Sequence, residues 1–561
     1  MASIIGKKIK GQTYYYLREV ARVGGKPKIV SQRYLGKAED VAAAMDGATV
    51  LPERTRHIKF GALAAVWRML ERLDAIAVID DVVGPRRSDA AASVGTYIAL
   101  ACANRVVAPC SKLAFTDWWA TTAGDRWVKV PTAALDHRRF WDAMHTLSTQ
   151  DLRRIETRLA QQMVATFDLD LSALVLDMTN FATFIHSANP RAPIAQRGKA
   201  KQKRTDLRLV ALALVITRDG GVPVVSHAYA GNRPDVTQFS AVIDELTARY
   251  RQLTHSIDDL TVVYDAGQNS EDNHADMEAT GLGFVGSLPP SNHPDLLAVP
   301  LEEFSLVDPD RFDGLTAHDT TVTALGVTRR AVITHSPTFH TAQARGFDQT
   351  LAKARRQLGE LQARLARGKS RKPRAGVEAE IAKILRPRWV NRVITTTLTG
   401  EDPTTFRLTW RTNTRARTRL ETELFGKRIL FTNRTDWPLA DVITAYRSQA
   451  DVEAGFRQMK DPHVVSFSPM HHWTDQKIRV HVFYCVLALT TAHLLRREAA
   501  NAGITMSVRE LLTTLDRIEE TVLIYPSTGG RPKARRTLTE MTPTAQRLYD
   551  LYDLDRYAPP G

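Results

Sequence analysis

Three carboxylates are the residues of this sequence best suited to chemistry. Asp177 and Asp265 each close an apolar run that has the composition of a strand, and Glu453 lies in a segment with helical periodicity. Three carboxylates held close together repel one another unless a divalent cation lies between them. Their hard oxygen atoms suit Mg²⁺, with Mn²⁺ as the alternative. Two such ions about 3.5–4 Å apart can activate a water or a 3′-hydroxyl for in-line phosphoryl displacement.

The segment that carries Glu453 places other polar side chains on the same helical face. Tyr446 and Gln449 precede Glu453 by seven and four residues, and Lys460 follows it by seven, so the four share one face. An aromatic ring and a cation beside a carboxylate suit a site that holds a metal ion and a phosphate backbone. Taken singly, each residue has an ordinary explanation: an aspartate that caps a turn, or a glutamate on a helix surface.

The elements between the two aspartates have the order β-β-β-α-β. They are residues 173–177, 207–217, 222–229, the helix 235–252, and 260–265. This order, with an aspartate on the first and fourth strands and a glutamate on a later helix, is similar to the ribonuclease H-like fold. The similarity implies that the first and fourth strands are neighbours and that the three carboxylates meet.

Changes in composition divide the chain into six segments, and the predicted fold class is α/β. The segments are a β-rich basic N-terminus (1–57), a helical DNA-binding domain (58–165), the first part of the ribonuclease H-like catalytic domain (166–300), a mixed α/β insertion with a basic helical arm (301–425), the second part of the catalytic domain (426–525), and a basic, flexible C-terminal tail (526–561). The insertion therefore interrupts the catalytic domain.

Positive charge is concentrated in two of these segments. Residues 353–388 contain 12 Lys and Arg against 3 Glu, in a long helix that breaks between 368 and 373. The N-terminal hairpin is also basic, with a turn at Gly24 and Gly25. Both segments can be solvated surfaces or can contact the DNA backbone, and for the helical arm we favour DNA.

The overall composition fits either a protein with a polyanionic partner or an ordinary soluble protein of high isoelectric point. The chain has 76 Lys and Arg against 61 Asp and Glu, a net charge of +15, which is typical of nucleic-acid-binding proteins. Its 3 cysteines have no zinc-site spacing, which argues against a disulfide framework and fits a reducing cytoplasm. The longest apolar runs, 207–217 and 480–495, are shorter than a membrane span, and the N-terminus lacks the apolar region of a signal peptide. We therefore expect no membrane association.

The motif around Glu453 resembles that of DDE transposases of bacterial insertion sequences, in the group with a Tyr-Arg-Glu-Lys helix motif. Tyr446, Glu453 and Lys460 fit the spacing of that group, and Gln449 stands where the group has Arg. Arg447 or Arg457 can supply the missing cation. The resemblance covers roughly residues 170–500.

Other blocks carry the same resemblance. The stretch 176–181 resembles the Asp-x-Thr-Asn pattern of the group, and 198–207 resembles its basic stretch before the second strand. The second aspartate block is 263–270, and 187 residues separate Asp265 from Glu453, a long insertion like that of the group. Asn180 and Asn269, near the aspartates, either orient metal ligands or form turns.

The resemblance implies a function and its site residues. Asp177, Asp265 and Glu453 would be the catalytic metal ligands, for two Mg²⁺ ions, and Tyr446, Arg447, Gln449, Arg457 and Lys460 would contact DNA. The expected partners are double-stranded DNA, as terminal inverted repeats and target, and a second copy of the chain. Cut-and-paste transposition in the bacterial cytoplasm, at the nucleoid, is the expected activity. The alternatives are a domesticated DNA-binding protein and a metal-dependent nuclease of the same fold.

Overall fold

The computed structural model describes residues 2–23, 26–45, 51–186, 188–201, 206–254, 259–368, 372–526 and 533–560. The chain divides into two compact units. The first comprises Met1–Ala62, Thr121–Trp127 and Thr514–Gly561, and the second comprises Leu63–Ala120 and Val128–Thr513. The predicted catalytic residues all belong to the second unit.

The N-terminal part of the first unit is mainly β-structure. Its elements are β1 (Ala2–Ile9), β2 (Gln12–Val23), β3 (Lys26–Gly36), α1 (Ala38–Met45) and β4 (Arg54–Lys59). β1, β2 and β3 form an antiparallel sheet, so the predicted hairpin has a third strand. The predicted turn residues Gly24 and Gly25 lie outside the described residues.

The segment predicted to be helical contains six α-helices in its described residues. They are α2 (Gly61–Arg72), α3 (Ala75–Val83), α4 (Val94–Val107), α5 (Phe115–Trp119), α6 (His137–His145) and α7 (Thr149–Phe167). α7 begins with a capping box, because Ser148 and Asp151 each bond the backbone of the other. Phe140 is buried, as expected of a core aromatic, whereas its neighbour Trp141 is 41% exposed.

The next part of the chain alternates strands with helices. Its elements are β5 (Ala173–Ala182), β6 (Leu209–Thr217), β7 (Pro223–Ala230), α8 (Phe239–Leu253), β8 (Thr261–Val263), α9 (Glu271–Thr280), β9 (Gly283–Leu288) and α10 (Pro294–Leu297). Every residue of β6 is buried, which explains its uninterrupted apolar sequence. The observed order β5-β6-β7-α8-β8 is the order that the sequence predicts.

The predicted insertion contains both strands and helices. Its elements, with the strand that follows, are β10 (Ser305–Leu306), β11 (Thr316–Ala324), β12 (Val327–His335), α11 (Pro337–Ala366), α12 (Arg374–Leu385), α13 (Val390–Val393), β13 (Ile394–Thr399), β14 (Arg407–Thr412), α14 (Thr414–Leu424) and β15 (Lys427–Thr432). The strand β13 starts at Ile394, directly after the short helix α13. Residues 369–371, in the predicted break of the arm, lie outside the described residues.

The last part of the chain contains the helix with Glu453 and then the C-terminal residues of the first unit. Its elements are α15 (Leu439–Arg447), α16 (Gln449–Met459), α17 (Asp475–Asn501), α18 (Val508–Asp516), β16 (Glu519–Ile524), β17 (Ala534–Leu538) and α19 (Pro543–Leu551). β16 pairs with β4 and β17. The prediction of a flexible tail is therefore wrong for 534–551, because this stretch contains the strand β17 and the helix α19. Residues 527–532 lie outside the described residues.

A nine-stranded mixed sheet organises the second unit. Its strand order is β10-β11-β12-β15-β9-β8-β5-β6-β7. β8 is parallel to both β5 and β9, and the other neighbouring pairs are antiparallel. The predicted insertion boundary needs correction, because β10, β11 and β12 join this sheet through β15.

The excursion from the sheet is shorter than predicted and has its own core. Its buried side chains come from α11 to α14 and the strands between them, and include Leu351, Leu358, Phe406 and Phe425. The leucines at heptad spacing on α11 therefore face α12 and β14 rather than a coiled-coil partner. We call residues 337–425 the excursion module.

The long apolar helix α17 forms much of the interior of the second unit. It has 27 residues, more than the predicted apolar run 480–495, and it packs against α4, β7 and α16. By length and composition it alone among the described helices can span a membrane, but 94% of its apolar window is buried inside the protein. Burial of this kind is typical of a core helix.

The separate core of the excursion module leads to a stability prediction. Leu358→Ala should lower local stability by about 2–5 kcal/mol, because it leaves a cavity at a side chain that is 0% exposed. Hydrogen exchange should accelerate in β13 and β14 and remain unchanged in β5 and β6. Leu306→Ala, at a position 57% exposed, is the control and should have no effect. Faster exchange throughout the large sheet would contradict a separate core.

Candidate active site

The two aspartates lie at the same level on neighbouring strands. β5 and β8 pair in parallel, and Val175 opposite Val263 is the last pair in their register. Asp177 and Asp265 each come two residues later, so both follow the end of the pairing by the same distance. Because side chains alternate along extended backbone, both carboxylates project on the side of the sheet that Val175 and Val263 face.

Asp177 is not at the end of its strand. β5 continues to Ala182 and remains paired with β6, where Asp177 is opposite Leu214. The carboxylate is accessible because β8 ends at Val263, which leaves the edge of β5 without a neighbour at this level. The prediction of a carboxylate at the end of a strand is thus wrong for β5. It is right for β8, because Asp265 is the second residue after that strand.

The third carboxylate comes from a helix that lies on these strands. α16 packs against β5 and β6 and buries Val452, Phe456 and Met459, the apolar positions that the sequence spacing indicates. Glu453 is exposed on the same helix. The predicted single helix over 445–460 is divided in the structure, because α15 ends at Arg447 and α16 begins at Gln449.

The three carboxylates are close enough to influence one another. The pKa of Asp177 is raised to about 6, chiefly by burial and to a smaller extent by the charges of Asp265 and Glu453. The backbone N–H of Met178 and the cation of Lys201 act in the opposite direction, since both stabilise the ionised carboxylate. A carboxyl group whose pKa is raised by neighbouring carboxylates is a typical acidic partner for a metal ion.

Tyr446 connects α15 to the second aspartate. Its single hydroxyl proton lies between two acceptors, Asp265 Oδ1 at 3.2 Å and Ser287 Oγ at 2.9 Å, and Ser287 donates to Asp265 Oδ1 at 3.3 Å. Burial raises the pKa of Tyr446, so the phenol stays protonated and remains a donor. The tyrosine is only 8% exposed, which indicates a positioning role in this structure. Its predicted contact with DNA stays a prediction.

Gln449 connects α16 to the first aspartate strand. Its Nε2 donates to the backbone oxygen of Leu176, the residue before Asp177, at 3.3 Å, and the side chain is 9% exposed. A glutamine can make this neutral hydrogen bond without burying a charge. This observation gives the residue that departs from the motif a structural role, and its predicted contact with DNA stays a prediction.

Two lysines border the site beside β5. Lys460, directly after α16, donates to Thr179 Oγ1 at 2.7 Å. Lys201 donates to the backbone oxygen of Met178 and forms an ion pair with Asp235 at 3.4 Å. Burial and the charge of Lys201 lower the pKa of Lys460, while Asp177 opposes this shift. The pair therefore places positive charge next to Asp177.

The two arginines that can replace the missing motif cation are in different environments. Arg447 is exposed and stacks on the ring of Phe312, with 4.6 Å from the guanidinium carbon to the ring centre. Arg457 is exposed on α16 one turn after Glu453, on the same helical face. Position on the helix favours Arg457 as the partner of Glu453, and the DNA contact of both arginines stays a prediction.

The sequence left open the role of two asparagines, and the structure gives each a positioning contact. Asn180 donates to the backbone oxygen of Lys199 and accepts from the N–H of Lys201, which holds the basic stretch against β5. Asn269 donates to the backbone oxygen of Ser287, at 2.9 Å. The sequence does not predict the role of Ser287, because a lone serine in a strand gives no signal. Lys201 could have been predicted, because it lies in the basic stretch 198–207.

The chemistry of the carboxylate set fits a hard divalent cation. Asp177, Asp265 and Glu453 provide only oxygen ligands, and burial raises the pKa of Asp177, whose ionised form a nearby cation would stabilise. In the described part of the chain, however, no three His, Cys, Asp or Glu side chains already converge closely enough to enclose a metal ion. Closer approach needs a positive charge between them, because like charges repel at short range.

Comparison with known proteins identifies the class to which this site belongs. Residues 169–490, more than half of the chain, match the family described as "Transposase DDE domain". The chain belongs to this family of DDE transposase domains. Membership implies a phosphoryl-transferring enzyme, and DDE transposases generally use divalent metal ions.

Two further comparisons complete this result. A comparison with curated proteins gave no match. Among solved structures, the chain is similar to a piggyBac transposase in a synaptic complex with hairpin DNA, determined by cryo-electron microscopy. The sequence identity is 8%, the coverage is 83% of this chain and 82% of that chain, and the TM-score is 0.38.

The contact of Tyr446 with Asp265 leads to a prediction for metal binding. Tyr446→Phe should weaken Mn²⁺ binding about 10- to 100-fold, the usual effect of removing a group that orients a ligand. Titration calorimetry measures the change. Tyr549→Phe is a matched control, since Tyr549 makes the same 3.2 Å bond to Asp555, and it should bind Mn²⁺ like the wild type. Equal affinities for both variants would contradict the positioning role.

The raised pKa of Asp177 leads to a prediction for stability without metal. The unfolded carboxyl, near 3.8, releases its proton before the folded one, near 6, so this group makes stability fall as pH rises from about 4 to 6. In EDTA, Asp177→Asn should be more stable than the wild type by about 1–3 kcal/mol at pH 8. The difference should vanish near pH 4. Urea unfolding measures it, and a less stable variant at pH 8 would contradict the raised pKa of the Asp177 carboxyl.

Proposed function

We propose that this chain is the transposase of an insertion sequence. It binds the terminal inverted repeats, cleaves strands with a divalent metal and joins the 3′-hydroxyl ends to target DNA. The observation that carries the proposal is the placement of Asp177 and Asp265 at one level of adjacent parallel strands, with the charge of Glu453 close enough to affect Asp177. The family assignment supports the same reaction class.

In this proposal the three carboxylates hold Mg²⁺, or Mn²⁺, as a pair of ions. The bound metal supplies an activated water or 3′-hydroxyl and charge stabilisation for phosphoryl displacement. Tyr446 and Ser287 keep Asp265 oriented, and Gln449 holds α16 at the level of Asp177. Lys460, as a compact cation, binds a phosphate beside the scissile bond, and Arg457 takes the role of the motif arginine.

The excursion module supports binding of duplex DNA. A groove of about 950 Å³ between α11 and α12 is lined by cations, among them Lys353, Lys383 and Arg386. Arg364 and Lys372 also line it, but both pair with Glu380, at 2.5 Å and 2.8 Å. The remaining positive charge suits the phosphate backbone, whose neutralisation dominates protein–DNA affinity.

Assembly and location follow from the reaction. Two ends of an element must be cut together, so the active complex contains two copies of the chain. Its substrates are double-stranded DNA ends and a double-stranded target, and its place is the nucleoid of a bacterial cytoplasm. Passage of the second strand through a hairpin intermediate belongs to the same proposal.

The experiment uses the purified protein and a labelled duplex from the DNA that flanks its own gene. With Mg²⁺, the wild type should cleave at the element boundary, and EDTA should abolish cleavage. Asp177→Ala, Asp265→Ala and Glu453→Ala should each bind the duplex but fail to cleave, because each removes a metal ligand. Asp451→Asn is the matched control on the same helix, about 200° from Glu453 around the axis, and should cleave.

Other outcomes would replace the proposal. Cleavage that ignores the terminal repeats would indicate a metal-dependent nuclease of the same fold. Binding without any cleavage by the wild type would indicate a domesticated DNA-binding protein. Cleavage by one of the alanine variants would remove that residue from the metal site.

A further inference from the structure

The three-stranded sheet β1–β3 has an aromatic and basic face that the catalytic site does not use. Residues 2–36 contain eight Lys and Arg and a single acid, Glu19. Most of the described side chains of β1 and β3 are exposed, including Ile4, Ile29 and Tyr34 at 54%, 54% and 50%. These strands carry more basic than acidic residues, although α1, which packs against β2 and β3, adds Glu39 and Asp40.

Strand register assigns these side chains to two faces. In antiparallel pairs, directly opposed residues share a face. Tyr16 is opposite Ile5 and Tyr34, and Tyr14 is opposite Lys7, so these belong to one face, which we call the tyrosine face. The opposite face carries Lys8, opposite Thr13, and Arg33, opposite Leu17.

The side chains of the tyrosine face are in contact with one another. The ring of Tyr34 lies 5.3 Å from that of Tyr16 and 6.2 Å from that of Tyr14, measured between centroids. Lys7 Nζ lies 5.3 Å from the ring centre of Tyr16. Arg18 shares this face, two residues after Tyr16. Aromatic rings interleaved with cations can stack on bases while the cations neutralise phosphates.

The width of the sheet selects the form of nucleic acid. Neighbouring strands lie about 4.8 Å apart, so the outer two are about 10 Å apart before their side chains are counted. The major groove, about 12 Å wide, admits a helix or a two-stranded ribbon, which leaves no room for this sheet lying flat. Rings on a flat sheet reach bases when the bases are unpaired.

We propose that the tyrosine face binds single-stranded DNA, with Tyr14, Tyr16 and Tyr34 stacking on unpaired bases and Lys7 and Arg18 contacting phosphates. The inference rests on the proposed function in one respect: the unpaired strand would come from the ends of the element when they are opened. Binding itself needs neither metal nor cleavage, so it is measured in EDTA and its outcome is independent of the catalytic test.

The first experiment measures fluorescence anisotropy of a labelled 20-nucleotide thymidine strand with the full chain in EDTA. Tyr34→Ser should weaken binding about 5- to 100-fold, the range for loss of base stacking. Tyr34→Trp should bind at least as well as the wild type, because the ring is kept. Tyr15→Ser changes a neighbouring tyrosine that lies outside the tyrosine face, and should weaken binding less than about twofold.

A second pair of variants tests the cations, and each variant removes one positive charge, so the two have equal net charge. Lys7→Gln should weaken binding more than Lys8→Gln, because only Lys7 is on the tyrosine face. Equal effects of the two lysine variants, or of Tyr34→Ser and Tyr15→Ser, would overturn the proposal and indicate unspecific attraction. Two further probes complete the set: the same strand annealed to its complement, and the RNA strand of equivalent sequence. Tighter binding of the duplex or of the RNA through the same tyrosines would also overturn the proposal.

A crosslinking experiment locates the contact directly. A strand that contains 5-iododeoxyuridine should crosslink on irradiation to Tyr14, Tyr16 or Tyr34, as identified by mass spectrometry of the peptides. Crosslinks found only elsewhere in the chain would overturn the proposal. A change of oligomeric state in Tyr34→Ser without a change in DNA binding would instead show that the face pairs with a second copy of the chain.

Discussion

The parallel pairing of β5 with β8 creates an electrostatic conflict on which the site depends. It holds Asp177 and Asp265 at one level, while α16 brings the charge of Glu453 near the same place. Burial of Asp177 makes the repulsion expensive, because a partly buried carboxylate has less water to stabilise it. In the proposed function a divalent cation between the carboxylates offsets this repulsion, which is why we infer that the same arrangement binds metal.

The surrounding contacts make sense as responses to this conflict. Tyr446 and Ser287 direct hydrogen bonds at Asp265, and Gln449 fixes α16 to the carbonyl of Leu176. Lys460 and Lys201 each donate a hydrogen bond to β5 close to Asp177, at Thr179 and Met178. Cations bound to the protein in this way moderate the repulsion without occupying the space between the carboxylates.

Part of this arrangement was predictable from the sequence, because it depends on local patterns. Apolar runs that close on Asp177 and Asp265 define strands, and the helical period of Val452, Phe456 and Met459 defines the buried face of α16. The rest depends on tertiary pairing. Nothing in the sequence shows that β8 ends after three residues and so leaves Asp177 accessible in the middle of β5.

The insertion and the tail show the same limit. β11 is largely polar and β12 has a short apolar run at 331–333, and only the pairing of β12 with β15 makes the two strands part of the large sheet. The two arginines of β17 predict a flexible tail, because the strand β16, whose ladder orders β17, lies outside the predicted tail segment. Gln449 depends on tertiary structure in the same way, because its side chain donates to the backbone oxygen of Leu176, which is distant in sequence.

The central claim is that the three carboxylates together hold the metal ions. The most direct measurement is the crystal structure of the protein soaked with Mn²⁺, with diffraction data collected at the manganese absorption edge. The account predicts anomalous peaks bonded to oxygen atoms of Asp177, Asp265 and Glu453, with the three side chains closer together than without metal. A manganese ion bound by the two aspartates while Glu453 faces solvent, or no peak at this place, would contradict it.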